Sequence, residues 1–381
     1  MKKTPRINRG VPEVRSMARG ERMLLRILFM AAAVFLAGCA SVTGGSGSEP
    51  DEAAKTGVTE DAPAETASPY DEPEEGHMQL IPDTAFLGGM ELITQKDHGN
   101  GDAFSAFAVH DFRGGGGGDE PFWRLCQWDS GPDLSGMLAE SSPEEITDGQ
   151  WRSFRYDPET DEMRFYLDTS LYYGGSPARE GDYWPHLLIE APDFGCRELP
   201  GETAEYYRCD AEKMTVSFDI RLTDYEASPV EGDWVDAAQF LMYFYVKGTE
   251  TEDFCWFGLQ LFDSRWPRNE HYVGYDGGKA DASGAMIYSV GSKYVYKNAG
   301  GTALWKDGAP SPDGEWRHVE IDLVPYLKDM LKRGSRDGYF KAGDLSGLRI
   351  DGMNVGWETI GTFRHGMELR HLRLTALRSE G

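Results

Sequence analysis

This sequence predicts an all-β sandwich with one short helix, preceded by a disordered acidic linker. Three observations carry that expectation. Apolar and polar residues alternate in short runs from Met78 onward, turn signals separate the runs, and helical periodicity is almost absent.

Residues 1–38 have a different character. Eight basic residues, from Lys2 to Arg26, lead into an apolar run, Leu24 to Ala37, that ends in small residues before Cys39. That is the order of a secretory signal peptide: charged, then apolar, then small at the cleavage site. The run is too short to span a bilayer, and Arg26 interrupts it. Leu36-Ala37-Gly38-Cys39 resembles the lipobox of bacterial lipoproteins. The resemblance implies that Cys39 receives a diacylglycerol, becomes the first mature residue and anchors the exported chain to the cell membrane or outer membrane. Ala40 rather than Asp follows it, which in a Gram-negative host implies passage to the outer membrane.

Residues 39–77 comprise Cys39 and the linker. From Ala40 to Gly76 ten acids accompany a single Lys, with a Gly/Ser run at 44–48 and Asp71-Glu-Pro-Glu-Glu75 near the end. Apolar residues are too few to offset ordering entropy, and like charges extend such a segment.

The sandwich domain spans 78–381. Its first alternating runs are Trp151 to Tyr156, Met163 to Leu167 and His186 to Glu190. In Met214 to Leu222, Val216, Phe218, Ile220 and Leu222 face one way and Ser217, Asp219 and Arg221 the other. Gln239 to Val246 and Phe254 to Phe262 are β-rich with aromatics on both faces, and Ala285 to Val290 and His318 to Leu323 extend the series. Met367 to Leu374 closes it, with Gly366 as the turn before it. Asp157-Pro158, Asp276-Gly277-Gly278 and Pro312-Asp313-Gly314 are turn signals. One helix, Pro325 to Lys332, puts Tyr326, Leu327, Met330 and Leu331 on one face. Gly114 to Gly118 lack the setting and the Lys-Ser/Thr of a phosphate loop and read as a flexible loop.

The strand Trp184-Pro-His-Leu-Leu-Ile-Glu190, the stretch Gly352-Met-Asn-Val-Gly-Trp-Glu358 and the aromatic-rich runs resemble jelly-roll domains of the concanavalin-like and carbohydrate-binding type. The resemblance implies a jelly-roll-like β-sandwich and an association with carbohydrate.

The formal net charge is −26, and loss of residues 1–38, which carry a net +6, takes it to −32. Such a charge repels nucleic acid and excludes DNA or RNA as a partner. It also disfavours an anionic polymer unless the groove that binds it is itself basic. Four cysteines remain besides Cys39, and an even count in an exported protein points to disulfides. Cys196 and Cys209 are close, with the turn-like Arg197-Glu-Leu-Pro-Gly201 between them, so they are the expected pair, contributing about 3 kcal/mol. Buried free thiols are the alternative, because Cys126 and Cys255 lie in apolar, aromatic surroundings.

Alternation also shows which polar groups share a strand face. His186 and Glu190 point one way with Leu188, while Leu187 and Ile189 point the other. Cys255, Phe257, Leu259 and Leu261 make a core face, leaving Trp256, Gly258 and Gln260 outward; Tyr243 and Tyr245 share a face with Gln239, and Arg221 with Asp219. Flat rings beside amides and charges suit a sugar, the rings covering C–H faces and the polar groups bonding hydroxyls. The expected ligand-binding set is therefore His186, Glu190, Arg221, Gln239, Tyr243, Trp256 and Gln260; the alternative is a second packed layer. Glu320-Ile-Asp322 approaches the Glu-x-Asp-x-(x)-Glu pattern of laminarinase-like hydrolases, but Leu323-Val324-Pro325 follows and the third carboxylate is missing. A solvated strand face leading into the helix is the expectation there. No His-x-x-x-His or Cys-x-x-Cys occurs, so no zinc site is expected. A Ca²⁺ site built from loop carboxylates suits an exported acidic sandwich, but no loop has EF-hand spacing and no ligands are assigned.

The expected protein is thus a lipid-anchored envelope sandwich that binds a glycan or envelope component. Its rivals are a polysaccharide-degrading hydrolase or lyase on the same scaffold and a structural lipoprotein with a protein partner.

Overall fold

Short alternating runs with turns between them pair into sheets, and the described residues form two large ones and a two-stranded ribbon, Trp305–Lys306 with Ala309–Pro310. The computed structural model describes residues 75–378, apart from 95–104, 114–119, 128–133, 135–136, 138–140, 183, 266, 268–269, 277–282 and 300–303. Cys39, the expected signal peptide, nearly all of the expected linker and Gly114 to Gly118 lie outside the described residues.

In chain order the strands are β1 (His77–Gln79), β2 (Met90–Thr94), β3 (Ser105–His110), β4 (Trp123–Cys126), β5 (Glu145–Thr147), β6 (Arg152–Asp157), β7 (Glu162–Asp168), β8 (His186–Ala191) and β9 (Lys213–Ala227). There follow β10 (Ala237–Gly248), β11 (Phe254–Asp263), β12 (Tyr272–Tyr275), β13 (Met286–Val290), β14 (Trp305–Lys306), β15 (Ala309–Pro310), β16 (Arg317–Asp322), β17 (Leu348–Ile360) and β18 (Phe363–Leu377). One sheet runs β16-β9-β18-β7-β6-β5 with β1 added on β18; the other runs β12-β13-β11-β10-β17-β8-β4-β2-β3. Pairing is antiparallel except at β11/β13 and β2/β4. The domain is an all-β sandwich.

The inward faces supply one core. Val216, Phe218, Ile220 and Leu222 from the first sheet meet Cys255, Phe257, Leu259 and Leu261 from the second, all buried in one apolar cluster, as alternation predicts. Aromatic contacts tie the sheets together: Phe240 stands edge-on to Phe165 at 5.2 Å and to Trp357 at 5.0 Å. The indole of Trp357 donates across the sandwich to the Phe165 carbonyl at 3.2 Å, so its polar edge is satisfied inside the core.

Four expectations are corrected. The helix is longer than Pro325 to Lys332: it spans Val324–Arg336, with Pro325 in its first turn. Asp322 accepts from the backbone N–H of Val324 at 3.1 Å, and Gly334, lacking a Cβ, lets the Phe340 ring pack against the last turn. Nor is it the sole helix, since single turns form at Thr169–Tyr173, Gly201–Ala204 and Ser292–Val295. Gly366 is not a turn but lies inside β18, at a register shift where a Cβ would sit 2.5 Å from the Thr223 hydroxyl; the reversal occurs at Gly361, with φ of +92°. Finally, Cys196 and Cys209 are not bonded, and all four described cysteines are buried free thiols. Cys196 donates its S–H to Asp351 at 2.9 Å, while the segment after it folds into helical turns that bring the Cys209 N–H to the Leu348 carbonyl at 2.9 Å. Burial, then Asp351, pushes the Cys196 thiol up to about 12, and burial likewise raises Cys209.

Candidate functional site

Side chains on alternate residues of neighbouring strands form rows across a sheet. On the nine-stranded sheet one row away from the core reads Gly258, Tyr243, Asn354, Glu190, Arg124 across five strands. On one side of it, Trp256 stands opposite Tyr245. On the other side Gln260, Leu241, Gly356, Leu188 and Cys126 form the next row, and Asp263, Gln239, Glu358 and His186 the one after. Leu188 and Cys126 join Ile93 in an apolar cluster separate from the main core, whereas Leu187 and Ile189 belong to the core. The two faces of β8 are therefore divided as the sequence implies.

Two glycines shape the aromatic part. A Cβ on Gly258 would sit 2.5 Å from the Tyr243 ring, and one on Gly352 would sit 2.8 Å from the Tyr245 ring. Each ring lies over backbone that only glycine leaves open. Trp256 stands edge-on to Tyr245 and to Phe254, at 4.9 Å in both cases, and remains half-buried. Its indole nitrogen lies 3.4 Å from the Ser283 hydroxyl.

Beside the rings lies a buried polar network. Glu190, 2% exposed, accepts from Arg124 Nε and from the Tyr245 hydroxyl, with the Cys126 thiol at 3.5 Å. Asn354 donates to the Tyr245 oxygen at 3.1 Å. Burial first, and the Glu190 charge second, push the Tyr245 hydroxyl and the Cys126 thiol well above their ordinary values. Both therefore stay protonated as donors. Burial works against the Arg124 charge, but Glu190 outweighs it and holds the guanidinium above its usual value. The result is a fixed ion pair. Asp263 is similarly committed, to Arg265 at 2.7 and 2.8 Å and to the Gln239 amide at 2.9 Å. Gln260 Oε1 and Ser289 Oγ, flanking Gly258, are buried with no hydrogen-bond partner among the described residues.

Six of the seven expected ligand residues therefore share this face: His186, Glu190, Gln239, Tyr243, Trp256 and Gln260. Arg221 does not. It lies on the outer face of the seven-stranded sheet, bonded to Glu368 and stacked 4.2 Å from the Trp316 ring. Alternation fixes a strand face but not the sheet to which the strand belongs. Conversely, Arg124, Cys126, Asn354 and Glu358 were not singled out. The period-2 spacing of Asn354, Gly356 and Glu358 held the signal for β17, but the four-residue β4 is too short to show one. Glu320 is exposed at the edge strand β16 and Asp322 accepts from Met214 N–H at 3.3 Å beside the helix start, as a solvated face leading into a helix requires. Among the described residues no three His, Cys, Asp or Glu side chains group to hold a metal ion.

No protein-family model matches this sequence, and no curated protein matches it. Solved structures resemble it in strand arrangement. A family 12 xyloglucanase from Bacillus licheniformis is 9% identical with a TM-score of 0.35, covering 60% of this chain and 87% of its own. The xyloglucanase domain of NopAA, a type three effector from Sinorhizobium fredii solved with cellobiose, is 8% identical with a TM-score of 0.32, covering 62% and 100%. Endoglucanase cel12A from Rhodothermus marinus is 10% identical with a TM-score of 0.31, covering 58% and 84%. At such identity no residue role passes from them to this chain.

Proposed function

We propose that this protein binds a glycan across the outer face of the nine-stranded sheet, and that a lipid on Cys39 holds it at the cell envelope. One observation carries the reading: the half-buried Tyr243 lies over Gly258 beside the half-buried Trp256, with the buried Tyr245 behind them, next to buried polar atoms of Gln260 and Ser289 that have no hydrogen-bond partner among the described residues. Rings laid on a sheet offer flat apolar area to sugar C–H groups, and an unpartnered buried polar atom is costly enough that a ligand hydroxyl reached by side-chain rearrangement gains from pairing with it. Binding rather than hydrolysis is favoured because Glu190 and Asp263 are tied to arginines. A glycosidase needs two carboxyl groups free to act, about 5–9.5 Å apart.

The test is a glycan panel probed with the full chain in detergent, paired with thermal unfolding. Trp256→Ala is expected to weaken binding by about 1–3 kcal/mol, as for a contact that dominates its site, with little change in Tm. A Tm loss equivalent to about 3–5 kcal/mol, as for a core tryptophan, removes the site. Release of reducing ends from a bound polysaccharide replaces this reading with hydrolysis. For the anchor, Cys39→Ser is expected to abolish lipid labelling and leave precursor or released protein; a labelled mutant refutes the lipobox.

A further inference from the structure

Beyond Tyr245 the same sheet face changes character. Lys247 lies two residues further along β10, about 7 Å away on the same side, and pairs in register with Arg349 of β17. Lys247 and Arg349 both reach the carboxylate of Asp351, at 2.9 and 3.3 Å. Asp210 at 3.0 Å and Glu205 at 3.7 Å hold the Arg208 guanidinium, and a backbone bridge joins Arg208 to Arg349, so the two arginines come to one place. They line a cavity of about 580 Å³ together with the exposed Arg197.

Arg349 is only 8% exposed, yet its guanidinium makes one hydrogen bond among the described residues, the 3.3 Å contact to Asp351. A guanidinium carries five N–H donors, and a buried cation so thinly bonded costs free energy unless an anion completes it. Arg349 Nε and Arg208 Nε are both buried with no hydrogen-bond partner among the described residues. Asp351 cannot supply the remainder, because it already serves Lys247, Arg349 and the Cys196 thiol. Glu205, Glu250 and Glu252 on the cavity lining are exposed. They disfavour a polyanion but leave room for one acid group placed deep among hydroxyls.

We propose that this cavity takes the carboxylate of an acidic sugar, so that the glycan crossing the aromatic face carries uronate units. The inference rests on the glycan reading and extends it.

The test titrates the full chain in detergent with xylotriose bearing a single glucuronate, the methyl ester of that saccharide, and cellotetraose. The ester keeps the shape and removes the charge. The free acid is expected to bind about tenfold or more tightly than the ester, the scale of hydrogen bonds to a charged group, with the gap shrinking as salt rises. Arg349→Met should close the gap and leave the affinity for the ester unchanged. Arg208→Met, at a more exposed position, should narrow it, and serves if the first variant does not fold. Equal affinity for acid and ester, or a gap that survives both variants, overturns the uronate assignment while leaving glycan binding intact. Binding of none of the three saccharides overturns both.

Discussion

The outer faces of the two sheets are built from similar residues and do opposite things with them. On the seven-stranded sheet charges alternate in sign across the strands. Arg221 bonds Glu368, which also faces Arg164 at 3.8 Å, while Arg370 reaches Asp219 at 3.0 Å and Glu162 at 3.5 Å. His318 joins Asp219 at 2.9 Å, and Trp316 lies between Arg221 and Arg370 at 4.2 and 4.3 Å. Every one of these charges has a partner and most keep contact with water. On the nine-stranded sheet the acids Glu190, Asp263 and Asp351 are buried, the Tyr243 and Tyr245 rings lie over glycines, and beside them Gln260 Oε1 and Ser289 Oγ have no hydrogen-bond partner among the described residues. A complete charge pattern makes a surface soluble and self-sufficient. An incomplete one beside flat rings leaves interaction energy for something outside the chain.

Four measurements break or sharpen this contrast. The largest effect concerns the seam beneath both faces. His365 on β18 is fully buried, with Nε2 3.0 Å from the Thr359 hydroxyl of β17 and its ring 3.9 Å from Trp357. Burial pulls its pKa down to about 3. The unfolded chain then binds the proton more readily than the folded one between pH 6.5 and 3. The contribution is therefore complete above pH 6.5 and is lost as pH falls toward 3, up to about 4–5 kcal/mol. His365→Gln should flatten the acid limb of urea-unfolding stability across that range; an unchanged limb assigns acid sensitivity to other groups.

Next is Glu190→Ala, which leaves Arg124 and Tyr245 without their buried acceptor. A loss of about 3–5 kcal/mol is expected in urea unfolding, and a loss under 1 kcal/mol shows that the network is not a fixed ion pair. Gly258→Ala pushes the Tyr243 ring off the sheet, so a loss of about 1–3 kcal/mol is expected, together with weaker saccharide binding. Retained binding removes Tyr243 from the platform. The smallest effect belongs to the opposite face: Glu162→Ala, whose contacts are 3.5 Å or longer and partly solvated, should cost about 0–1 kcal/mol. A larger cost makes the two faces alike.

Local alternation was enough for much of this. The inward face of β9, the division of β8 between Leu187/Ile189 and His186/Leu188/Glu190, and the outward set Trp256, Gly258 and Gln260 all follow from a period of two, which the backbone imposes on any strand. The expectation of a signal peptide and lipobox rests on the sequence alone, because such signals are written in order and composition. Tertiary structure decided which strands pair. That choice moved Arg221 to the opposite side of the sandwich, kept Cys196 with Asp351 rather than Cys209, and continued β18 through Gly366. It also brought Arg208 and Arg349, far apart in the chain, to one cavity. Pairing depends on how long-range apolar surfaces fit together, and no local pattern encodes that fit.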